Sequence, residues 1–395
     1  MKNVISGLEV LAATPELVGG RPWGLLANHA AVTPAFEPAR AVLAAAGLGP
    51  LVRLFAPEHG LDGTAQDMEA VVDARDPLTG CEVRSLYGGD LESLTPQPDA
   101  LDGLEVLLVD LPDIGSRYYT FAATMDRAME TCARVGVELM VLDRPNPIGG
   151  VQREGGLVGP GFESFVSQLP VPARHGLSLG ELALLLQRER HPDAELTVVP
   201  CRGWRRRWWL DETGLPWVPP SPNMPALETA ALYPGLCLVE ATTLSEGRGT
   251  TRPFHLVGAP WADAERAASR LRQLALPGLA VRAARFRPEF GKHVGTVCGG
   301  VELFVTDRSA LEPVALGLHV LRAFHDLDPE SFAWRSEPYE FVDWVPALDL
   351  LTGSADARRL IESGASFEPL LDAWRAAVAG FEASLDGVLL HHELG

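Results

Sequence analysis

Residues 51–60 are Leu-Val-Arg-Leu-Phe-Ala-Pro-Glu-His-Gly, an apolar run that ends in a glutamate and a histidine. Three further apolar runs, at residues 23–27, 104–109 and 137–142, end in polar side chains in the same way. Short apolar runs separated by stretches of helical periodicity are typical of buried parallel strands joined by crossover helices. The sequence therefore predicts an α/β fold built on a mainly parallel sheet.

The polar residues that follow these runs mark one edge of the predicted sheet. They are Asn28 and His29, Glu58 and His59, Asp110, Asp113 and Arg117, and Asp143, Arg144 and Asn146. Ligands of open α/β sheets bind beyond the carboxyl ends of the strands. Because every cluster lies at that edge, the sequence predicts an active site there and indicates an enzyme.

The chain has 395 residues, which is enough for two domains at roughly 100–200 residues each. Residues 149–172 are rich in Gly and Pro and interrupt the alternation, so we predict an α/β domain over residues 1–165 and an α+β domain over residues 166–395. Residues 202–260 lack clear periodicity and carry many prolines, which disfavour helix interiors and central strands. Because this segment is also rich in tryptophan, we predict a long, rigid loop that lines the cleft.

Composition limits the partners and the cofactors. A net charge of −19, spread along the chain, argues against nucleic acid or an anionic membrane surface as a partner. We find no membrane-spanning run or signal peptide, and the five scattered cysteines indicate a reducing, cytoplasmic setting. Nucleotide-binding glycine motifs are missing, and His391-His392-Glu393 lacks the second histidine of a zinc motif. We therefore expect no cofactor and no metal, and leave the oligomeric state open.

Glu58 is the strongest catalytic candidate. It follows a buried run and precedes His59 and a glycine, so we predict that it lies in a tight turn facing the cleft. A partly desolvated carboxyl group keeps its proton more readily, as a general acid near neutral pH must. The alternatives are that the Glu58 carboxylate only bonds backbone amides of the turn, and that His59 is structural.

Two further segments carry candidate ligand-binding groups. Residues 110–120 combine carboxylates and an arginine with Tyr118 and a second tyrosine, a composition that suits a sugar or a similar polyol. Residues 245–252 place two arginines and a glutamate among glycines and hydroxyls, and an arginine there can bind a carboxylate bidentately. The structural alternatives are a helix-capping Asp113–Arg117 pair and a solvated loop at residues 245–252.

Residues 176–180, Gly-Leu-Ser-Leu-Gly, match the G-x-S-x-G pattern of serine hydrolases. That motif needs a strand before it, but prolines precede it here. Ser178 and Glu181 also have the spacing of a capping box at the start of an apolar helix. We therefore expect Ser178 to cap a helix and keep a serine nucleophile as the alternative.

Several segments, taken in order, resemble one family. They are Phe55–Gly60, Asp110–Tyr119, Leu142–Pro147, Arg174–Gly176, Pro220–Pro225, Leu244–Pro253, Lys292-His293 and Cys298–Gly300. The set resembles the NamZ-like exo-β-N-acetylmuramidases from about residue 20 to residue 330. The resemblance implies a glycoside hydrolase that removes single N-acetylmuramic acid residues from the non-reducing ends of peptidoglycan glycans. It also implies a Rossmann-like N-terminal domain, a smaller α+β C-terminal domain and a cleft between them, with no metal or nucleotide.

Carried over by position, the resemblance implies that Glu58 is the catalytic acid. Glycosidic cleavage usually needs two carboxyl groups, and for the second we predict Glu246, with Asp113 as the next candidate. The predicted substrate-binding residues are Asn28, His59, Arg117, Tyr118, Asp143, Arg144, Asn146, His175, Asn223, Arg248, Arg252 and His293. The chain departs from the family pattern at Thr64, where Asp is common, and at Pro112, where Gln is common.

The expected function is thus an exo-β-N-acetylmuramidase of cell-wall recycling that acts on small muramyl glycans in the cytoplasm. The muramic acid lactyl carboxylate gives Arg248, Arg252 or Arg117 a group to bind. The alternatives are a serine esterase or amidase that uses Ser178, and a non-catalytic muropeptide-binding protein.

Overall fold

The computed structural model describes residues 3–66 and 68–392. Its strands are β1 (Trp23–Ala27), β2 (Leu51–Ala56), β3 (Ala74–Arg75), β4 (Glu82–Ser85), β5 (Val106–Asp110), β6 (Glu138–Leu142), β7 (Leu196–Val199), β8 (Leu256–Ala259), β9 (Leu279–Phe286) and β10 (Cys298–Val305). Its α-helices are α1 (Gly7–Ala13), α2 (Ala39–Ala45), α3 (Thr120–Val135), α4 (Leu179–Glu189), α5 (Leu227–Leu236), α6 (Ala264–Gln273), α7 (Pro313–His325), α8 (Ala347–Thr352), α9 (Asp356–Ser363) and α10 (Glu368–Ala383). Short 3-10 helices lie at Pro15–Leu17, Glu92–Leu94, Pro98–Leu101, Leu210–Glu212 and Cys237–Ala241.

The larger sheet has seven strands in the order β3-β4-β2-β1-β5-β6-β7. The pairs from β4 to β7 are parallel, and β3 joins the edge antiparallel to β4. The strand β1 pairs with β2 on one side and β5 on the other, so the chain changes direction across the sheet beside β1. This arrangement confirms the predicted α/β fold with a mainly parallel sheet.

Apolar side chains cover both faces of this sheet. In the central strands, Leu25 and Leu108 belong to the core on the side of α1 and α2. Their neighbours Leu26 and Leu107 point the other way, into the core formed with α3 and α4. Because successive strand residues face opposite sides, a strand buried on both faces needs a continuous apolar run, which is the pattern that predicted these strands.

The second sheet is smaller and antiparallel, with strand order β8-β10-β9. Helix α5 crosses α7 at two glycines. A Cβ atom on Gly235 would lie 1.6 Å from the carbonyl oxygen of Pro313, and one on Gly317 would lie 2.2 Å from the Gly235 carbonyl oxygen. The two backbones can therefore approach this closely only because neither residue has a side chain.

The prediction of one long loop over residues 202–260 is wrong in its second part. Residues 227–236 form α5 and residues 256–259 form β8. Helix α5 is apolar on nearly all sides and is buried from Thr229 to Leu236, so it lacks the amphipathic period that identifies a surface helix. Pro234 lies near its C-terminal end. The proline-rich part before residue 226 is irregular apart from one short 3-10 helix, as expected.

The domain boundary near residue 165 stays a prediction. The larger sheet also takes in β7, which lies beyond that point. Among residues 3–66 and 68–392, the helices are too short or too polar to cross a bilayer.

Candidate active site

A cavity beyond the carboxyl end of β2 brings together both halves of the chain. Its empty space is about 410 Å³, counting the solvent at its mouth. The lining residues are Glu58, His59, Tyr118, Tyr119, Thr120, Val166, Ser221, Asn223, Met224, Tyr233, Glu240, Arg248, Phe254, Tyr339 and Glu340. Most of them are polar or aromatic, which suits a ligand with many hydroxyl groups.

Glu58 lies just beyond the end of β2, and two hydrogen bonds hold it among residues 3–66 and 68–392. The Thr120 hydroxyl, in the first turn of α3, donates to Oε2 at 2.7 Å. The backbone N–H of Met68 donates to Oε1 across 3.3 Å. The side chain is 4% exposed, so the carboxyl group is largely removed from bulk water yet lines the cavity.

Backbone strain concentrates around this cavity. His59 has φ of 72° and Phe254 has φ of 60°, and both residues line it. Met68, whose N–H supports Glu58, has φ of 56°. Residues other than glycine rarely adopt the left-handed backbone region, and backbone strain of this kind clusters at functional sites. His59 also bonds the Ala65 carbonyl oxygen through Nδ1 at 3.0 Å, which fixes its ring.

A charged network forms one side of the cavity. Arg248 donates to Glu240 at 2.6 Å, and its Nε lies 3.4 Å from Glu246. Lys292 donates to the other oxygen of Glu246 at 3.0 Å. Burial favours a higher pKa for Glu246, but the charges of Lys292 and Arg248 outweigh it, and the pKa lies below its ordinary value. Glu246 is therefore held as an anion that positions Arg248.

Of these two glutamates, Glu240 lines the cavity, whereas Glu246 supports Arg248 from outside the lining. Glu240 also accepts a hydrogen bond from the Tyr339 hydroxyl at 2.8 Å. The structure therefore presents Glu240, rather than Glu246, as a carboxylate that shares the cavity with Glu58, and Glu340 is another.

Tyrosine hydroxyl groups supply neutral hydrogen-bonding groups. Burial raises the pKa of Tyr118, Tyr119 and Tyr233, so all three remain protonated near neutral pH. The Tyr118 hydroxyl is buried and has no hydrogen-bond partner among residues 3–66 and 68–392. A buried hydroxyl without a partner costs free energy, which a bound polar ligand can recover.

Asp113 and His175 lie beside a neighbouring cavity, whose lining includes Asp113, Arg144 and Trp217. His175 Nε2 lies 3.3 Å from Asp113 Oδ2. The backbone N–H of Leu177 donates to His175 Nδ1, so in the neutral ring the proton is on Nε2, toward Asp113. One loop lines both cavities. Its residue Pro220 lines the cavity beside Asp113, and the next residue, Ser221, lines the cavity that contains Glu58.

Three predicted substrate-binding residues are engaged in structural contacts. Arg117 is buried and donates to the carbonyl oxygens of Gly156, Val171 and Leu351, each at 2.7 Å. Two nitrogens of the Arg144 guanidinium donate to the two carboxylate oxygens of Asp110, one of them at 2.8 Å. Asn146 donates to the Leu177 carbonyl oxygen at 3.0 Å.

The remaining candidates lie in loops near the cavities or at the second sheet. Asn28 donates to the Pro220 carbonyl oxygen at 3.0 Å and so anchors the loop that lines both cavities. Asn223 lines the first cavity and donates to Gln66 at 3.1 Å. Arg252 pairs with Glu302 of β10 at 3.2 Å, and His293 contacts the Thr243 carbonyl oxygen at 2.7 Å.

Asp143 is part of a buried cluster with Cys201 and His391, whose potential metal ligands lie within 4.8 Å of one another. His391 Nε2 is 2.7 Å from Asp143 Oδ2, a hydrogen-bond distance. Asp143 also accepts the Gly180 N–H at 2.8 Å. These contacts fasten the end of the chain to the start of α4; Glu393 lies outside the described residues.

Ser178 is the N-cap of α4. Its side chain accepts the Glu181 N–H at 3.2 Å, while Glu181 accepts the Ser178 N–H at 3.0 Å. The Ser178 backbone is extended, with φ of −74° and ψ of 167°, rather than the strained turn of a nucleophile elbow. The geometry confirms the predicted cap and gives the serine-hydrolase alternative no support.

Two family models together match most of the chain. Residues 23–228 match the family model described as exo-beta-N-acetylmuramidase NamZ, N-terminal, and residues 231–391 match the C-terminal model of the same name. The chain belongs to the NamZ family. The family resemblance drawn from the sequence motifs is thereby confirmed.

The similarity of this NamZ-family chain to known relatives extends over nearly its whole length. It is 41% identical over 372 residues to the peptidoglycan beta-N-acetylmuramidase NamZ of Bacillus subtilis strain 168, covering 94% of this chain and 87% of the relative. Two crystal structures of DUF1343 family proteins from Bacteroides fragilis NCTC 9343 are also similar. One has a TM-score of 0.89 at 32% identity, the other a TM-score of 0.75 at 27% identity, each covering 99% of this chain and 100% of the other.

The two departures from the NamZ pattern occupy different places. Pro112 lines the second cavity, beside Asp113. Thr64 is exposed, in the segment between His59 and Met68. Pro112 is therefore a cavity residue, whereas Thr64 belongs to the segment that connects two residues at the site.

Several cavity residues of this NamZ-family chain escaped the sequence analysis. They are Tyr119, Thr120, Val166, Ser221, Met224, Tyr233, Glu240, Phe254, Tyr339 and Glu340. Glu240 follows an apolar run in the second half, outside the strand-end clusters, and no local pattern identifies it. Tyr119 and Thr120 lie directly after Tyr118 in a segment already singled out, so that segment's composition was a usable signal.

Proposed function

We propose that this protein is a glycoside hydrolase that removes terminal N-acetylmuramic acid from the non-reducing end of peptidoglycan-derived glycans. Membership of the NamZ family and the similarity to the Bacillus subtilis enzyme support this activity. The observation that carries the proposal is that Glu58 and Glu240 line the same polar cavity. They come from the parts of the chain matched by the N-terminal and C-terminal family models, respectively.

The chemistry divides between these two carboxyl groups. Protonated Glu58 donates its proton to the glycosidic oxygen as the bond from that oxygen to C1 of the muramic acid breaks. The C1 centre gains positive charge, which the carboxylate of Glu240 stabilises. Water then adds to C1 and loses a proton to a carboxylate, so the products are free N-acetylmuramic acid and the remaining glycan.

Ion pairing suits Glu240 to the charged role. Arg248 donates to it at 2.6 Å and Tyr339 at 2.8 Å, and both contacts favour a carboxylate. Glu58, in contrast, is held by a hydroxyl and a backbone N–H. Two carboxyl groups with such different surroundings are the usual basis for separate acid and anion roles.

Substrate contacts follow from the cavity lining. We propose that Arg248 binds the lactyl carboxylate of muramic acid, because it lines the cavity and Glu246 holds it in place. Tyr118 offers a buried hydroxyl to the sugar. Arg117 and Arg252 are less suited, because they are outside the lining of this cavity: the first donates to backbone carbonyls and the second pairs with Glu302.

We further propose that the enzyme works in the cytoplasm on small muramyl glycans. All five cysteines are free thiols, and four of them are buried, as is common in a reducing compartment. Fractionation of cells that carry an epitope-tagged chain, with marker enzymes for each compartment, tests this location.

The activity is tested by proton NMR of wild-type protein with a defined MurNAc–GlcNAc disaccharide. Release of N-acetylmuramic acid is expected, and the first anomeric signal shows whether the configuration is retained or inverted. Glu58→Gln should lower kcat by roughly a hundredfold or more, because it cannot donate the proton. Asp62→Asn is the control, since this nearby carboxylate has a side chain 71% exposed. A wild-type protein that releases no sugar, or a Glu58→Gln variant as active as the control, would contradict the proposal.

A further inference from the structure

A tight hairpin at residues 339–342 forms part of the cavity wall. Tyr339 and Val342 exchange two backbone hydrogen bonds, of 2.9 and 3.0 Å, across two central residues. Those residues are Glu340, with φ of 45°, and Phe341, with φ of 67°. Positive φ at both central positions is the signature of a type I′ turn, where Asn-Gly is strongly preferred.

Glu-Phe is therefore an unfavourable sequence for this turn. Neither residue belongs to the small group that enters the left-handed region readily. Strain of this kind persists where the surrounding structure holds it, and it clusters at functional sites. The identity of residue 340 therefore calls for an explanation other than turn preference.

The hairpin spans the cavity. The Tyr339 hydroxyl donates at 2.8 Å to Glu240, which lies in the region of the C-terminal family model. Glu340 accepts a hydrogen bond from the Tyr87 hydroxyl at 3.2 Å, and the Phe341 ring lies 6.2 Å from the Tyr87 ring. Tyr87 lies in the region of the N-terminal family model, so the hairpin joins the two parts of the chain over the site.

Glu340 is consequently a third carboxyl group in the cavity that holds Glu58 and Glu240. It is 4% exposed and lines the same space. The cleavage chemistry needs two carboxyl groups, and the other two have these roles in the proposed mechanism. A further carboxylate in such a site is a strong acceptor for sugar hydroxyl groups.

We propose that Glu340 is a specificity-determining residue that accepts a hydrogen bond from the free 4-hydroxyl of the terminal muramic acid, and that the hairpin closes the cavity beyond it. This inference rests on the proposed function. In an internal muramic acid the 4-oxygen is part of a glycosidic bond and carries no proton. A carboxylate at that position therefore accepts a chain end and rejects an internal residue, which explains exo action.

The test compares two substrates, a MurNAc–GlcNAc disaccharide and its analogue with 4-deoxy-MurNAc. Wild-type protein should prefer the hydroxylated substrate by roughly tenfold or more in kcat/KM, as for loss of a hydrogen bond to a charged group. Glu340→Gln should reduce this preference to about threefold or less, mainly through KM on the hydroxylated substrate. Glu337→Gln, at an exposed glutamate of the same segment, should keep the full preference.

A second variant, Glu340→Asn, separates ligand recognition from a structural role, because it keeps the Phe341 ring beside Tyr87 and places in the turn a residue that enters the left-handed region readily. The melting temperature should stay close to that of the wild type, while the preference for the 4-hydroxyl is lost. Unchanged preference in Glu340→Gln or in Glu340→Asn would overturn the inference. Failure of the proposed function differs from both, because the wild type would then release no muramic acid.

Discussion

The Thr120 hydroxyl donates to Oε2 of Glu58 at 2.7 Å and ties the start of α3 to the end of β2. Both side chains are buried, at 6% and 4% exposure. The other oxygen, Oε1, accepts the Met68 N–H at 3.3 Å. Thr120 therefore gives Glu58 the shorter of these two hydrogen bonds, and it acts as a positioning residue for the proposed acid.

Thr120→Val should lower kcat by about tenfold, because a hydrogen bond to a carboxyl group is worth roughly 1.5–3 kcal/mol. Thr120→Ser keeps the hydroxyl and should stay within about threefold of wild type. Steady-state kinetics on a MurNAc–GlcNAc substrate make the comparison. Because the bond positions the proposed acid, the loss in the valine variant should appear mainly in kcat, with KM little changed. Equal kinetics in both variants would remove Thr120 from this role.

Much of the fold was predictable because local patterns agreed with the global arrangement. The runs at residues 23–27 and 51–56 became strands with those bounds, since strands of a parallel sheet that is covered on both faces need such runs. The cap at Ser178 was equally local. A similar capping box, Ser6 with Glu9, begins α1 and was a signal that the sequence analysis did not use.

The site was only partly predictable because its parts come from distant segments. Glu58 was found from its position after β2, whereas Glu240 lies in a 3-10 helix after an apolar run. Glu246 has the more suggestive sequence, among glycines and arginines, but its contacts with Lys292 and Arg248 give it a supporting position. Which of two nearby glutamates reaches a cavity depends on tertiary packing, and sequence spacing does not supply that information.

The titration of Glu246 should make the free energy of unfolding depend on pH. Its pKa lies below the ordinary 4.5, as burial is outweighed by Lys292 and Arg248. A carboxylate with a depressed folded-state pKa stabilises the protein fully above its unfolded value, and this contribution is lost as the pH falls through the lower folded value. Urea unfolding should therefore show wild type and Glu246→Gln converging below about pH 4.5. A constant difference between them across this range would contradict the assignment.

Removal of the positive charge of Lys292, the partner of Glu246, should lower the free energy of unfolding at neutral pH. Lys292→Met leaves the buried carboxylate of Glu246 with fewer partners, so stability should fall by roughly 3 kcal/mol. The double variant with Glu246→Gln should recover part of that loss, because no unpaired charge remains. An additive double variant would show that the two side chains are not coupled.

Glu154 should have the opposite pH dependence. Burial raises its pKa to about 7, against the opposing hydrogen bonds from Ala315 and Val314 and the charge of Arg174. The folded protein then holds this proton more tightly than the unfolded chain, so stability should decrease as the pH rises from about 4.5 to about 7. Glu154→Gln removes the titration and should flatten this part of the curve of melting temperature against pH. A wild-type curve that rises throughout this interval, with no difference from the variant, would contradict the expected protonation.

Ser178→Ala should cost about 1 kcal/mol of stability and leave turnover within about twofold of wild type, because the hydroxyl caps α4 and performs no chemistry. Ser6→Ala is a matched control, since Ser6 forms the same reciprocal cap with Glu9 at the start of α1. Thermal unfolding and steady-state kinetics should give similar results for the two variants. A fluorophosphonate probe should label neither wild type nor Ser178→Ala. Labelling of wild type that Ser178→Ala abolishes, together with loss of muramic acid release, would instead establish a serine nucleophile and displace Glu58 from the centre of the mechanism.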